Sequence, residues 1–245
     1  MSRGWHALPG FVVLLAGLAM IMHGPIAQLP HYHEFADQRS AFGIAHAWDV
    51  LSNIGFLAVG AWALLGARGR GDLPEAPARN LFFATLLLTA AGSTFYHWAP
   101  DNARLVFDRL PIALACASLL AAAHARIHGG RIPGLLAILL VVAVGSVYWW
   151  SWTESLGRGD LRPYLLVQFA PLVLVPLWQW LQGAPKVERI DFGIAIALYA
   201  AAKAFELQDG AVLAATGIAS GHTIKHLLAA LAALFIARMF LRRHG

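Results

Sequence analysis

The 245-residue chain is 59% hydrophobic and 13% charged, with a mean hydropathy of +0.62. A typical soluble domain is about 25% charged, so a soluble globular protein of this length is excluded. The formal charge of +5 comes from Lys and Arg scattered through loops, which argues against a nucleic-acid surface, and the single cysteine, Cys116, excludes an internal disulfide framework.

Eight apolar segments follow in chain order, near 9–29, 48–66, 81–99, 105–125, 132–151, 163–183, 191–208 and 220–241. A helix of about 20 apolar residues spans a bilayer, and Pro- and Gly-bearing polar stretches such as ARGRGDLPEAPARN and ESLGRGDLRP separate the runs. The expected fold is an all-α integral membrane protein. The first segment has the look of a signal-peptide core, Arg3 followed by FVVLLAGLAMIM, but no small-residue cleavage site follows it, so it reads as a retained span. The third ends in GSTFYHWAPD, with Ser93 and His97 four apart and so on one helical face. The fourth opens with LVFDRLP and carries Asp108. The fifth ends in YWWSW, placed where interfacial aromatic belts lie. The seventh holds Lys203 and Glu206, three apart and spaced to pair. The eighth opens with GHTIKH, which sets His222 and His226 on one face.

With eight spans, one side carries Arg3, Arg68, Arg70, Arg79, Arg126, Arg131, Lys186, Arg189, Arg238, Arg242 and Arg243, eleven in all, against five on the other. Positive loops face the cytoplasm, which predicts both termini inside. On that assignment Ser93, His97, Asp108, His222 and His226 come from three spans to one depth near the outer leaflet. His124 and His128 fall near the inner face, as interfacial residues.

Ionisable groups within a membrane cost about 2.5–3.5 kcal/mol on insertion scales and default to functional hypotheses. Three neutral imidazoles with an open position suit catalytic zinc. Zinc would lower the pKa of its water to about 7, Asp108 could take the water's proton, and Ser93 could assist at an oxyanion. A Ser–His–Asp hydrolase uses the same letters but leaves GHTIKH unexplained.

The combination Ser93-x-x-x-His97, Asp108 and His222-x-x-x-His226 resembles the alkaline ceramidase family, within the wider ceramidase, adiponectin-receptor and Per1-like group of seven-span membrane hydrolases. The resemblance covers about 48–241. It implies a seven-helix transmembrane domain over 48–245, preceded by an extra N-terminal span and outer loop in 1–47. It further implies zinc on His97, His222 and His226, Asp108 as base, Ser93 in support, and cleavage of the N-acyl bond of ceramide-like lipids to a sphingoid base and a fatty acid. HYHEFADQRSAFGIAHAWDVLSN resembles the family's calcium-binding segment, which would place Ca2+ on Glu34, Asp37 and Asp49. Here, however, AHAWD carries His46 where an acidic residue belongs. The competing reading is an interfacial loop whose Asp49 and Asn53 cap and pack the next helix.

Two other functions stay open: a receptor-like or structural membrane protein keeping a metal site, and a related hydrolase of another amide or ester lipid. The Ala-, Leu- and Arg-rich makeup accords with a bacterial inner membrane.

Overall fold

The computed structural model describes residues 7–242. Arg3 and Arg243, counted above for orientation, lie outside the described residues. Ten helices follow in order: α1 (Leu8–His23), α2 (Ala47–Leu51), α3 (Ile54–Gly66), α4 (Ala76–Trp98), α5 (Asn102–His128), α6 (Leu135–Ser155), α7 (Arg162–Leu181), α8 (Lys186–Leu207), α9 (Asp209–Thr216) and α10 (Gly221–Leu241). Among the described residues the only strand-like pairing is an isolated bridge between Ala41 and Ile44. The chain is all-α.

Five stretches are long and apolar enough to cross a membrane: Ala47–Gly66, Asn102–His128, Leu135–Ser155, Arg162–Leu181 and Gly221–Leu241. Their outer surfaces stay apolar. Ile138 is 62% exposed and Val141 73% exposed on α6, which is lipid-facing surface rather than water-facing surface. The protein is a multi-pass membrane protein.

Every predicted apolar segment contains a helix, and two segments and one connection differ in detail. α1 has 16 residues, about 24 Å at 1.5 Å per residue, against a hydrocarbon core of about 30 Å. Gly24, at φ +83°, ends it well before residue 29. The second segment breaks between α2 and α3, where the Ser52 hydroxyl and the Asn53 amide both donate to the Asp49 carbonyl. The connection before GHTIKH is not a plain loop, because α9 fills it.

The chain forms two compact units. One comprises Met1–Pro30, Asp72–Phe82 and Ala113–Arg189; the other comprises His31–Gly71, Phe83–Ile112 and Ile190–Gly245. In the first unit, α7 packs on α6 and α1. The loop before α7 is pinned by Asp160, which accepts from Arg162 Nε at 2.9 Å and from Trp149 Nε1 at 3.0 Å. Burial opposes the charge of Asp160, yet these hydrogen bonds hold its carboxyl well below the usual carboxylate range. Arg126 lies within α5, not in a loop, and its guanidinium bridges Glu75 at 3.0 Å and Glu188 at 2.7 Å. Arg79 is likewise inside α4, with none of its surface exposed.

In the second unit α10 is the central element and packs chiefly on α3. A Cβ on Gly55 would stand 2.9 Å from the Ala230 Cβ, so small residues bring these two helices together as they commonly do in membranes. At the far end of α10, Arg238 and Arg242 both pair with the buried Asp191.

Candidate metal centre

His222 and His226 lie one turn apart on α10, and His97 is in the last turn of α4. Among the described residues these three form the only group of His, Cys, Asp or Glu able to share a metal ion. One ring nitrogen from each lies within 4.8 Å of the other two. The imidazoles are 1%, 6% and 3% exposed for His97, His222 and His226, so solvent does not satisfy their nitrogens.

The hydrogen bonds assign which nitrogen faces inward on His226. Its Nδ1 lies 2.8 Å from Ser52 Oγ and 3.1 Å from the Asp49 carbonyl. Because the Ser52 hydroxyl already donates to that carbonyl at 2.9 Å, Nδ1 must be the donor. The Nε2 lone pair is then free, which is the arrangement expected of a metal-ligating histidine whose other nitrogen is held by a hydrogen bond. His97 Nε2 and His222 Nε2 stand 3.3 Å apart. Two nitrogens on a tetrahedral zinc, each about 2.0–2.1 Å from the ion, are separated by roughly 3.3–3.4 Å.

His97 Nδ1 is buried without a hydrogen-bond partner. Its ring is therefore held by packing and by whatever Nε2 meets. Three buried imidazoles that bring one nitrogen each within 4.8 Å of the others fit a divalent cation, which takes several nitrogen lone pairs at once. The donor set fits a metal of the zinc type.

Asp108 on α5 is 8% exposed and Ser93 on α4 is 2% exposed. The Ser93 side chain interacts with the Asp108 carboxylate. Gly92 makes this meeting possible, because a Cβ there would lie 2.0 Å from the Phe107 carbonyl oxygen. Pro111 has no N–H for that carbonyl, its helical i−4 partner, so the oxygen is free to rest against the bare Cα of Gly92. Gly221 serves the opposite side of the centre: its Cβ would lie 2.1 Å from the Phe205 carbonyl oxygen. The start of α10 thereby reaches the end of α8.

That approach brings a lysine to the histidines. Lys225 Nζ is 3.0 Å from His222 Nε2 and 2.9 Å from Glu206 Oε1. The other oxygen of Glu206 takes Lys203 Nζ at 2.7 Å. The Lys203–Glu206 pair expected from sequence is therefore real, but it belongs to a larger group that touches the centre.

Residues 31–46 cover the histidines. The Phe35 ring centroid lies 4.6 Å from that of His97 and 4.5 Å from that of His222. His33 steadies this segment through Tyr96 Oη and Asn102 Oδ1, both at 2.9 Å. Asp209 fastens it to α10, accepting from the Ala36 backbone at 2.9 Å and the His222 backbone at 2.8 Å. The Arg39 guanidinium on Asp37 holds that carboxyl below its ordinary range, and the same arginine reaches the carbonyls of Gly217 and Ile218.

The proposed calcium ligands are not brought together. Glu34 is exposed and pairs with His31 at 2.6 Å. Asp37 is consumed by Arg39. Asp49 is fully buried and accepts from Thr223 Oγ1 at 2.6 Å and Ser220 Oγ at 3.1 Å. Asp49 does not cap its own helix either, because its carboxylate is turned to the start of α10. There Ser220 is the N-cap, accepting from the Thr223 backbone at 2.9 Å.

Sequence reasoning missed Phe35, Ser52, Asp209 and the proximity of Lys225. The N-cap Ser220, directly before GHTIKH, was the one signal of this kind that could have been read. No protein-family model matches the chain, and no curated protein matches it either.

Proposed function

We propose that the protein is a membrane-embedded metal-dependent amidohydrolase acting on ceramide-like lipids, with zinc on His97, His222 and His226. The convergence of three buried imidazoles on one point is the observation that carries this reading. The motif's resemblance to alkaline ceramidases supplies the substrate class. In the same reading, seven membrane-spanning helices follow a further N-terminal one, and both termini are cytoplasmic.

Zinc, when bound, supplies a water acidic enough to be a nucleophile near neutral pH. The chain's own residues do the rest. Asp108 accepts the proton that such a water gives up and returns it to the leaving amine. Ser93 orients Asp108 through their side-chain interaction and shares the carboxylate's charge. Ser52 and the Asp49 carbonyl lock the His226 tautomer. Phe35 and its segment exclude bulk water from the centre, which strengthens every electrostatic interaction inside it. A lipid amide already in the bilayer reaches such a site without crossing water.

The closure by Phe35 also favours a second reading, a metal site kept for stability or ligand binding without chemistry, since structural metal sites are closed. One experiment separates the two. Metal analysis of purified protein is expected to give about one zinc per chain, and His97→Ala, His222→Ala and His226→Ala to lose it. Incubation with a mixed lipid extract containing N-acyl sphingoid lipids is expected to release fatty acid. Asp108→Asn should keep the metal and abolish release. Metal retained with no fatty acid freed from any lipid would favour the non-catalytic reading; protein without a transition metal would defeat both.

A further inference from the structure

The ammonium of Lys225 has no settled role in the chemistry above, and its surroundings are unusual. It is the cation nearest the three histidines, with a side chain only 19% exposed. One N–H serves Glu206 and another points at His222 Nε2. An ammonium has three donors and no acceptor. A ring nitrogen that gives its lone pair to a metal can no longer accept, so metal on His222 frees the donor that now points there. Glu206 does not cancel the charge, because it is shared between Lys225 and Lys203. The group of three carries one net positive charge. The Asp108 carboxylate attracts Lys225 electrostatically but makes no hydrogen bond to it.

We propose that Lys225, backed by Glu206 and Lys203, is the anion anchor of this site and holds the carboxylate head of a fatty acid beside the metal position. The apolar cover by Phe35 favours a monoanion on a hydrocarbon chain over a phosphate. The anion's identity rests on the acyl-hydrolase reading; the anchor itself does not, because the ammonium is present with or without chemistry. The same donor would meet the oxyanion of a carbonyl under attack, which makes Lys225 a residue for the reactant as well as for the acid released.

The test is calorimetric titration of purified protein and Lys225→Met with octanoate, and with octanamide as the neutral isostere. The metal content of each sample is measured in parallel. Octanoate should bind the parent protein and bind Lys225→Met weaker by about tenfold or more, the loss expected for a hydrogen bond to a charged group. Octanamide binding should change little. Equal octanoate affinity in the two proteins, or equal loss for both ligands, overturns the proposal. If Lys225→Met does not fold, Lys225→Gln reads the same difference with a polar side chain in place. A normal metal content with no charge-dependent loss sinks only the anchor. Charge-dependent binding in protein devoid of metal sinks the zinc reading and leaves the anchor standing.

Discussion

The Nδ1 of His226 shows how much of a candidate metal centre lies outside its three histidines. Ser52 and the Asp49 carbonyl sit 174 and 177 positions away in sequence, and they decide which nitrogen turns inward. Ser52→Ala removes one of the two oxygens and leaves the carbonyl. Loss of such outer partners typically costs 10–100-fold in metal affinity. Because the carbonyl remains, the expected loss is about tenfold, with the fold retained, measured by competition with a chelating dye. Ser93 illustrates the opposite relation between letter and role. Its spacing to His97 was legible, but its partner is Asp108, and only the crossing of α4 and α5 reveals that.

At the scale of the helix, close approach explains why polar groups from different spans can meet. Gly92 and Pro111 act together, one removing a Cβ and the other freeing the Phe107 carbonyl that takes its place. Gly92→Ala forces that carbonyl away. Overpacking costs typically 1–3 kcal/mol, and a 2.0 Å approach to backbone is at the severe end. We expect Gly92→Ala to destabilise by about 3 kcal/mol and to separate Ser93 from Asp108, seen as a lowered thermal midpoint with lipid cleavage lost. Span existence was readable from apolar runs because a bilayer demands them. The end of α1, the break after α2 and the presence of α9 were not, since each depends on where a backbone carbonyl finds its partner. The two helices outside the five qualifying spans that reach membrane length, α4 and α8, carry His97 and the Lys203–Glu206 pair, and polar side chains of this kind interrupt their apolar runs.

Across the whole molecule, each unit carries its own buried polar cluster: the histidine centre in one and the Arg126, Glu75 and Glu188 triad in the other. The side chains of the triad are 1%, 2% and 7% exposed in that order. Removing the single cation strands two carboxylates, and breaking a buried pair costs about 3–5 kcal/mol. Arg126→Met should therefore lower thermal stability by about that amount, while Arg126→Met combined with Glu75→Gln and Glu188→Gln should recover most of it. Thermal unfolding in detergent would check both. The metal content of the histidine centre is the control, expected to be unchanged in folded protein.

The sequence by itself determined that this chain lives in a membrane, that each of its apolar runs holds a helix, and that three histidines, an aspartate and a serine stand toward helix ends. Those conclusions follow from local quantities, the length of apolar runs and the period of a helix. Tertiary structure decided that the histidines share one point, that Ser93 serves Asp108, that Asp49 turns to α10 instead of calcium, and that Lys225 joins the centre. A side chain's partner across the fold depends on crossing angles and on glycines that permit contact, and neither is written in the spacing of residues along one helix.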